Sequence, residues 1–388
     1  MNILHVIPDL APAMGGPVTT VLAEAEGQAA LNQQVSVIAT DYGLESKSSL
    51  DGVTIKLFAC QFPPWRWSVE LGRFLREKVP NCDIVHLHTL WLYPTWVASR
   101  ACLAAGKPYV VTLHGMLSTW SLSQKAWKKI PYLHWVEGKT MRDAAAIHGT
   151  TKGELDDSRA ERWNPSVFVL PLGLPRSAYA DLPGQSCFAD RFPTLENRRI
   201  ILFLGRLHPV KQPEVVIRAF HQAFQGISDA CLVMAGLGTS AYLRSLQRLV
   251  EALGIGSRVL FTGMLRGRAV QEAYRAASLF VLPSLHENFG VAAAEAMAAE
   301  CPVVVSDRVK LAPEIQKAEA GFVTAPTVEA TAEAMDILLR DQPLRISMGR
   351  NGRRLVLEQF TAEKVARDLL KVYEDIIMGC RRSPLWQI

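Results

Sequence analysis

Short apolar runs alternate with longer amphipathic or alanine-rich stretches along nearly all of the 388 residues, and this rhythm limits the possible folds more than any other feature. An apolar run that does not alternate in polarity is the mark of a strand buried on both faces. Parallel strands of that kind need long crossovers, usually helices, to return the chain to the same end of the sheet. The runs predict strands at 2–7, 34–39, 54–58, 83–88, 109–113, 145–148 and 167–170. After a stretch holding Pro171, Pro175, Pro183 and Pro193 the rhythm starts again, at 200–204, 230–235, 259–261, 279–282, 303–306 and 321–323. A chain of this length exceeds what one compact core usually organises. The class is therefore α/β, with two doubly wound, Rossmann-like domains expected at 1–174 and 175–361. Apolar residues at helical spacing over 362–377 predict a terminal helix, followed by a tail to 388 that carries no packing signal and is expected to be loose.

Composition removes several functions. Hydrophobic residues make up 49% of the chain and charged residues 20%, which places it among globular proteins and not among disordered ones. A net charge of +5 without a basic stripe is too mild for nucleic-acid binding and better suits anionic phosphates or a membrane surface. The seven cysteines are scattered and never in C-x-x-C spacing, so they read as buried thiols of a reducing compartment. No run approaches the roughly 18 apolar residues of a membrane span, and the N-terminus lacks the basic flank of a leader. A cytoplasmic protein is expected, with the inner face of the membrane as a candidate place of work.

In open α/β sheets ligands bind beyond the carboxyl ends of the strands. The loop after the first strand carries Gly15-Gly16-Pro17 ahead of a helix, which reads either as a tight turn or as backbone facing a phosphate. His114-Gly115 ends the strand at 109–113, where the histidine serves a substrate or caps its own loop. His86 and His88 alternate at another strand end and read as structural, since no third metal ligand lies at a recognisable spacing. The first strand of the second half runs into Gly205-Arg206 and Lys211, two cations able to clamp a diphosphate and to offset the charge that builds on a leaving one. The most informative loop is 283–290, which leads into an alanine-rich helix expected to start near Phe289. Free N–H groups of Phe289, Gly290 and Val291 would there face an anion. Glu287 lies in that loop and Glu295 inside the helix, where a carboxylate is costly unless bonded. Helical spacing would set the two about 12 Å apart along the axis, too far for both to serve one glycosidic bond.

Glu287 and Glu295 in an E-x7-E pattern, Gly205-Arg206 with Lys211, His114-Gly115 and Gly15-Gly16 together resemble the retaining glycosyltransferases of family 4, over nearly the whole chain and most strongly from 200 to 325. The resemblance implies the GT-B fold, two Rossmann-like domains facing each other across a cleft, with the final helix crossing back to the first. It assigns Arg206 and Lys211 to the donor diphosphate, Glu287 to the donor sugar, and Asn288, Phe289, Gly290 and Val291 to the sugar and phosphate pocket. It assigns Glu295 to the ribose, Met264 and Leu265 to the base, Gly15 and Gly16 to the phosphates and His114 to the transferred sugar. It implies a nucleotide-sugar donor and transfer with retention of configuration. No D-x-D motif occurs, so neither a catalytic metal nor another cofactor is expected.

Acceptor choice is expected in the first half, which holds most of the nine tryptophans. The segment 125–135 interleaves lysines with Trp127 and Trp135, as a segment touching anionic lipid would, and equally as a helix with core aromatics and snorkelling lysines would. A glycan or lipid-linked glycan acceptor, in surface polysaccharide or glycoconjugate synthesis, fits the resemblance. Gly15-Gly16 does not supply the G-x-G-x-x-G of a dehydrogenase. The rival from another class is a silent glycan-binding or scaffold subunit of the same fold, against which four charged residues in ligand-facing loops argue.

Overall fold

The computed structural model of the chain describes residues 1–11, 14–44, 49–224 and 229–387. The chain divides into two compact units, Met1–Pro175 with Gln359–Ile388, and Arg176–Glu358. Each holds a twisted parallel sheet whose strands are joined by helices. In the first unit these are β1 (Asn2–Asp9), β2 (Gln34–Thr40), β3 (Val53–Phe58), β4 (Ile84–His88), β5 (Tyr109–Thr112), β6 (Ala146–Gly149) and β7 (Val167–Val169). In the second they are β8 (Arg199–Leu204), β9 (Ala230–Ala235), β10 (Val259–Gly263), β11 (Ala277–Leu282), β12 (Val303–Ser306) and β13 (Gly321–Thr324), and a last strand, β14 (Trp386–Gln387), returns to the first sheet. Every expected apolar run is a strand, with ends shifted by no more than two residues.

The second sheet runs β10-β9-β8-β11-β12-β13, and the first runs β3-β2-β1-β4-β5-β6-β7 with β14 at its edge. In both, the chain builds outward from its first strand and then jumps back to that strand's other side. Ile3 to Val6 of β1 therefore pair with Ile84 to Leu87 of β4, and Ile201 and Leu202 of β8 with Leu279 and Phe280 of β11. At such a reversal the following loops diverge to opposite faces and leave a crevice at the carboxyl ends.

The helix Ala362–Ile377 packs against the helix Gly16–Ala30, and the approach is close. A side chain on Gly27 would meet the Ala362 carbonyl oxygen at 2.5 Å and the Ala366 methyl at 2.8 Å. Val365, Leu369, Val372 and Tyr373 from the late helix complete one core with Ile3, Ile84, Val110 and Phe168. Beside this core lies a polar island: His5, Glu24, Gln28, His86, His88 and His148 have no exposed surface at all.

The tail expected to be loose is instead a strand, and its anchor is a carboxylate. Asp375 accepts hydrogen bonds from the backbone N–H groups of Arg382 (2.8 Å) and Ser383 (2.7 Å) and from the Trp386 indole (2.9 Å). Trp386 is thereby laid against Phe168 with ring centroids 5.7 Å apart, and β14 pairs antiparallel with β7. Composition alone gave no sign of this, because the anchor lies on the preceding helix. Asp375→Ala is expected to cost about 2 kcal/mol in urea unfolding and to speed amide exchange over 382–387, since charge-assisted bonds of this kind contribute about that much.

Candidate functional site

In the second unit the reversal point falls between β8 and β11, and the two most charged loops leave from those strands. The loop after β8 is fixed on one side by the loops of β9 and β10. Gly205 N–H donates to the Ala235 carbonyl (3.0 Å), Leu207 N–H to Leu237 (2.8 Å) and Gly236 N–H to Gly263 (2.8 Å). Gly236 and Gly238 were not singled out by sequence reasoning, yet both are required for this approach. A Cβ on Gly236 would fall on the Gly205 carbonyl, and one on Gly238 would lie 2.5 Å from the Leu207 carbonyl oxygen. The available signal was a Gly-Leu-Gly directly after a strand.

On its other side the loop turns through a short 3-10 helix, Pro209–Lys211, held by His208, whose Nδ1 accepts from the Val210 N–H. The Val210 carbonyl then accepts from Leu285 N–H at 2.8 Å, which joins the β8 loop to the β11 loop. Arg206 stands exposed at the turn. Lys211 is mostly covered, 16% exposed at its side chain, and its ammonium is in contact with the Glu287 carboxylate. Burial pushes the Lys211 ammonium down, to about 7, and the neighbouring Arg206 charge adds to the fall. The Glu287 carboxylate works the other way and favours the charged lysine.

Glu287 is not part of a helix. It makes an isolated parallel bridge with Val309, donating its N–H to the Arg308 carbonyl (3.3 Å) and accepting from Lys310 N–H (3.1 Å). The helix begins only at Val291, with Gly290 as its N-cap at φ 92, a left-handed conformation that leaves Phe289 and Asn288 outside. A Cβ on Gly290 would also meet Val309 at 2.9 Å. The open N–H groups at this end are thus those of Gly290, Val291 and Ala292, because Ala293 N–H is bonded back to the Gly290 carbonyl. The 12 Å helical separation expected for the two glutamates does not apply, since a bridge and a left-handed glycine, not helix geometry, set the position of Glu287. Phe289 is buried.

Glu295 lies partly buried on the helix Val291–Ala298 and accepts a hydrogen bond from the Tyr274 hydroxyl at 3.0 Å. Burial pushes its carboxyl up to about 7, and the Tyr274 bond opposes that rise. Tyr274, on the helix Arg268–Ala276, was invisible to sequence reasoning because nothing in the spacing of these two residues marks them as partners. Met264 is exposed and Leu265 half-buried in the loop that follows β10.

The remaining expected residues belong to the first unit. Gly15, at φ 66, caps the helix Gly16–Ala30, with Pro17 in the first turn. The strand before it ends at Asp9, buried and paired with Arg66 at 2.6 Å. His114 follows β5 with φ 50, strained for a residue with a side chain, and burial lowers its imidazole to about 3. Its Nε2 lies 3.3 Å from Nδ1 of His88. Around His86 and His88 the fold gathers His5 and Glu24, groups that spacing along the chain did not reveal.

The aromatic residues in and around the segment 125–135 divide between the two readings. Trp65, Trp91 and Trp96 pack against the core, and Tyr132 accepts from the Trp65 indole. Trp127 and Trp135, however, are 75% and 82% exposed, and Ile130 between them is 47% exposed. No helix among the described residues is long and apolar enough to cross a membrane.

The family model for glycosyl transferases group 1 matches residues 188–355, and that for the glycosyl transferase 4-like domain matches residues 15–173. An uncharacterized glycosyltransferase of Methanocaldococcus jannaschii is 26% identical over 90% of this chain and 92% of its own length. HepE of Anabaena, solved with UDP and glucose, superposes with a TM-score of 0.77 at 17% identity, covering 97% of this chain and all (100%) of that one. WaaG, a glycosyltransferase involved in lipopolysaccharide biosynthesis, gives 0.73 at 18% identity over 97% of this chain and 100% of its own. With one family model matching most of the first unit and the other most of the second, and with the GT-B fold of these structures, the chain belongs to the group 1 glycosyltransferases.

Proposed function

We propose that the enzyme retains the anomeric configuration, needs no metal on the donor diphosphate, and adds its sugar to a glycan or lipid-linked glycan at a membrane surface during surface polysaccharide or glycoconjugate synthesis. The observation that carries the donor half is the meeting of Lys211 with Glu287 at the β8/β11 reversal, with Arg206 on the same turn. A bound diphosphate accepts from Arg206, Lys211 and the N–H groups of Gly290, Val291 and Ala292, a set of positive groups that neutralises a leaving nucleoside diphosphate. Lys211 passes from its carboxylate partner to the phosphates, which frees Glu287 to accept from hydroxyls of the donor sugar. Glu295, held by Tyr274, accepts from the vicinal ribose hydroxyls, and Met264 and Leu265 lie beside the base. In the transfer, the acceptor oxygen bonds to the anomeric carbon on the face from which the diphosphate departs. The carbon–phosphate oxygen bond breaks, and the departing phosphate oxygen takes the acceptor's proton. UDP is the favoured nucleotide, supported by its presence in HepE.

Support for the membrane half comes from the exposed Trp127, Ile130 and Trp135, which recur at helical spacing beside Lys125 and Lys128. The part of WaaG in lipopolysaccharide synthesis supports an acceptor of that class.

Calorimetry with UDP-, GDP-, ADP- and dTDP-sugars in EDTA tests the donor site: one nucleotide is expected to bind, and no binding to folded protein would leave a silent subunit as the better reading. Lys211→Ala is expected to weaken that binding about 100-fold and Glu295→Ala about 10- to 100-fold, each losing a charge-assisted bond. Because free Lys211 titrates near 7 while a bound diphosphate favours its charged form, affinity should fall as pH rises above 7, by at most about tenfold per pH unit, and Lys211→Ala should flatten the profile.

Glu295 has a stability signature of its own. Its raised carboxyl binds a proton more tightly in the folded state, so its stabilising protonation is complete below the unfolded value and lost as pH rises to about 7. Glu295→Gln is therefore expected to stabilise the protein by about 1–2 kcal/mol at pH 8 and hardly at all at pH 4, measured by urea unfolding, while donor binding weakens. Trp127→Ala with Trp135→Ala should reduce sedimentation with anionic phospholipid vesicles at least tenfold and leave nucleotide binding intact.

A further inference from the structure

His5 of β1 and His86 of β4 are direct partners across the sheet, and His88 stands two residues on, on the same face. The helix Gly16–Ala30 covers that face and points Glu24 into it. All four side chains are completely buried. Glu24 Oε2 lies 3.7 Å from His86 Nδ1 and 3.9 Å from His88 Nε2, and His5 Nδ1 lies 2.8 Å from His88 Nε2. Neither Glu24 oxygen has a hydrogen-bond partner among the described residues. A carboxylate with no exposed surface and no donor is among the costliest groups a core can hold, and a cation is what would offset it.

The hydrogen bonds on the outside of the cluster say which ring nitrogens point inward as lone pairs. His148 Nε2–H donates to the Leu170 carbonyl at 2.8 Å, so its Nδ1 accepts from the Thr112 hydroxyl, also at 2.8 Å. That hydroxyl in turn accepts from His86 Nε2–H at 2.5 Å, which leaves His86 Nδ1 unprotonated. His5 Nε2–H donates to Gln28 Oε1 at 2.7 Å, which leaves His5 Nδ1 unprotonated. Without an ion, His88 Nε2–H donates to that His5 nitrogen at 2.8 Å and His88 Nδ1 accepts from His114 Nε2, 3.3 Å away; an ion would displace the inner proton and turn His88 Nδ1 into the outward donor, leaving Nε2 for the centre. Each imidazole thus has its far nitrogen engaged, as metal-bound histidines do, and each near nitrogen faces one point.

We propose that His5 Nδ1, His86 Nδ1, His88 Nε2 and Glu24 Oε2 form a closed structural site for a divalent ion of the zinc class, tying β1, β4 and the first helix together. One ligand atom from each of these four residues lies within 4.8 Å of the other three, and the separations of 2.8, 3.7 and 3.9 Å fall on either side of the roughly 3.3 Å between ligands of a tetrahedral zinc. Three imidazoles and one carboxylate suit zinc better than magnesium or calcium, which prefer oxygen. The Tyr373 hydroxyl, 2.6 Å from His86 Nδ1, gives up that bond when the ion enters. With every ligand buried there is no open position for substrate, so the ion supports the fold and takes no part in transfer.

The test uses full-length protein without a histidine tag or chelator. Grown with zinc it should carry one zinc per chain by elemental analysis. Grown with cobalt in zinc-poor medium it should show the intense visible bands of four-coordinate Co²⁺. Glu24→Gln should lower metal affinity at least about 100-fold, and Thr112→Val, which removes an outer partner, about 10- to 100-fold. Folded wild-type protein with no stoichiometric metal under either growth condition overturns the proposal, as do folded variants that keep the wild-type affinity and cobalt spectrum. Should Glu24→Gln fail to fold, the wild-type stoichiometry and spectrum together with Thr112→Val decide the matter. None of these readouts involves the sugar nucleotide, so they stand or fall apart from the transfer reaction.

Discussion

β8 and β11 hydrogen-bond to each other although the chain between them travels out through β9 and β10 and back. That pairing is the constraint on which the two charged loops depend. It sets two loop exits side by side at one end of the sheet, and one short bond, Leu285 N–H to the Val210 carbonyl, then holds Lys211 against Glu287. Further backbone-to-backbone ties join Glu287 to Arg308 and Lys310, Gly205 to Ala235 and Gly236 to Gly263, and the uncharged side chains of His208 and Ser306 add one bond each. The charged side chains are thus carried by a lattice of main-chain bonds that does not use them, and a ligand can take them without loosening the loops.

Two ionisable groups in this lattice are held away from their ordinary states, Lys211 downward and Glu295 upward, each chiefly by burial. Burial lowers the cost of their neutral forms, and any anion or hydrogen-bond donor brought beside them, as Glu287 is beside Lys211, favours the charged forms. Pre-organisation here lies as much in protonation as in position. Tyr274 belongs to the same economy, since a single hydroxyl keeps the Glu295 carboxylate oriented on an otherwise apolar helix.

The strands were legible because a strand buried on both faces leaves an unbroken apolar run, and the charged loops because Arg206, Lys211 and Glu287 follow such runs directly. What escaped were contacts between residues far apart in the chain. Glu24 with His86, Tyr274 with Glu295 and Asp375 with Trp386 are each made by tertiary packing, and no local pattern encodes them. The start of the helix at Val291 was misplaced for a local reason: Gly290 takes a left-handed conformation, which periodicity in an alanine-rich stretch cannot register. Trp127 and Trp135 stand exposed while Trp65, Trp91 and Trp96 pack on the core, a division that residue type alone does not encode.

The return of the late helix to the first sheet bears on how the molecule is made. The second unit, Arg176–Glu358, is contiguous and can close on itself as it leaves the ribosome. The first unit cannot: Ile3, Ile84, Val110 and Phe168 wait for Val365, Leu369, Val372 and Tyr373, which are synthesised after an entire intervening domain. During that interval the apolar face that these residues share stands open in the nascent chain. The step that seals it is the docking of one amphipathic helix beside Gly27, and β14 then latches the edge strand behind it.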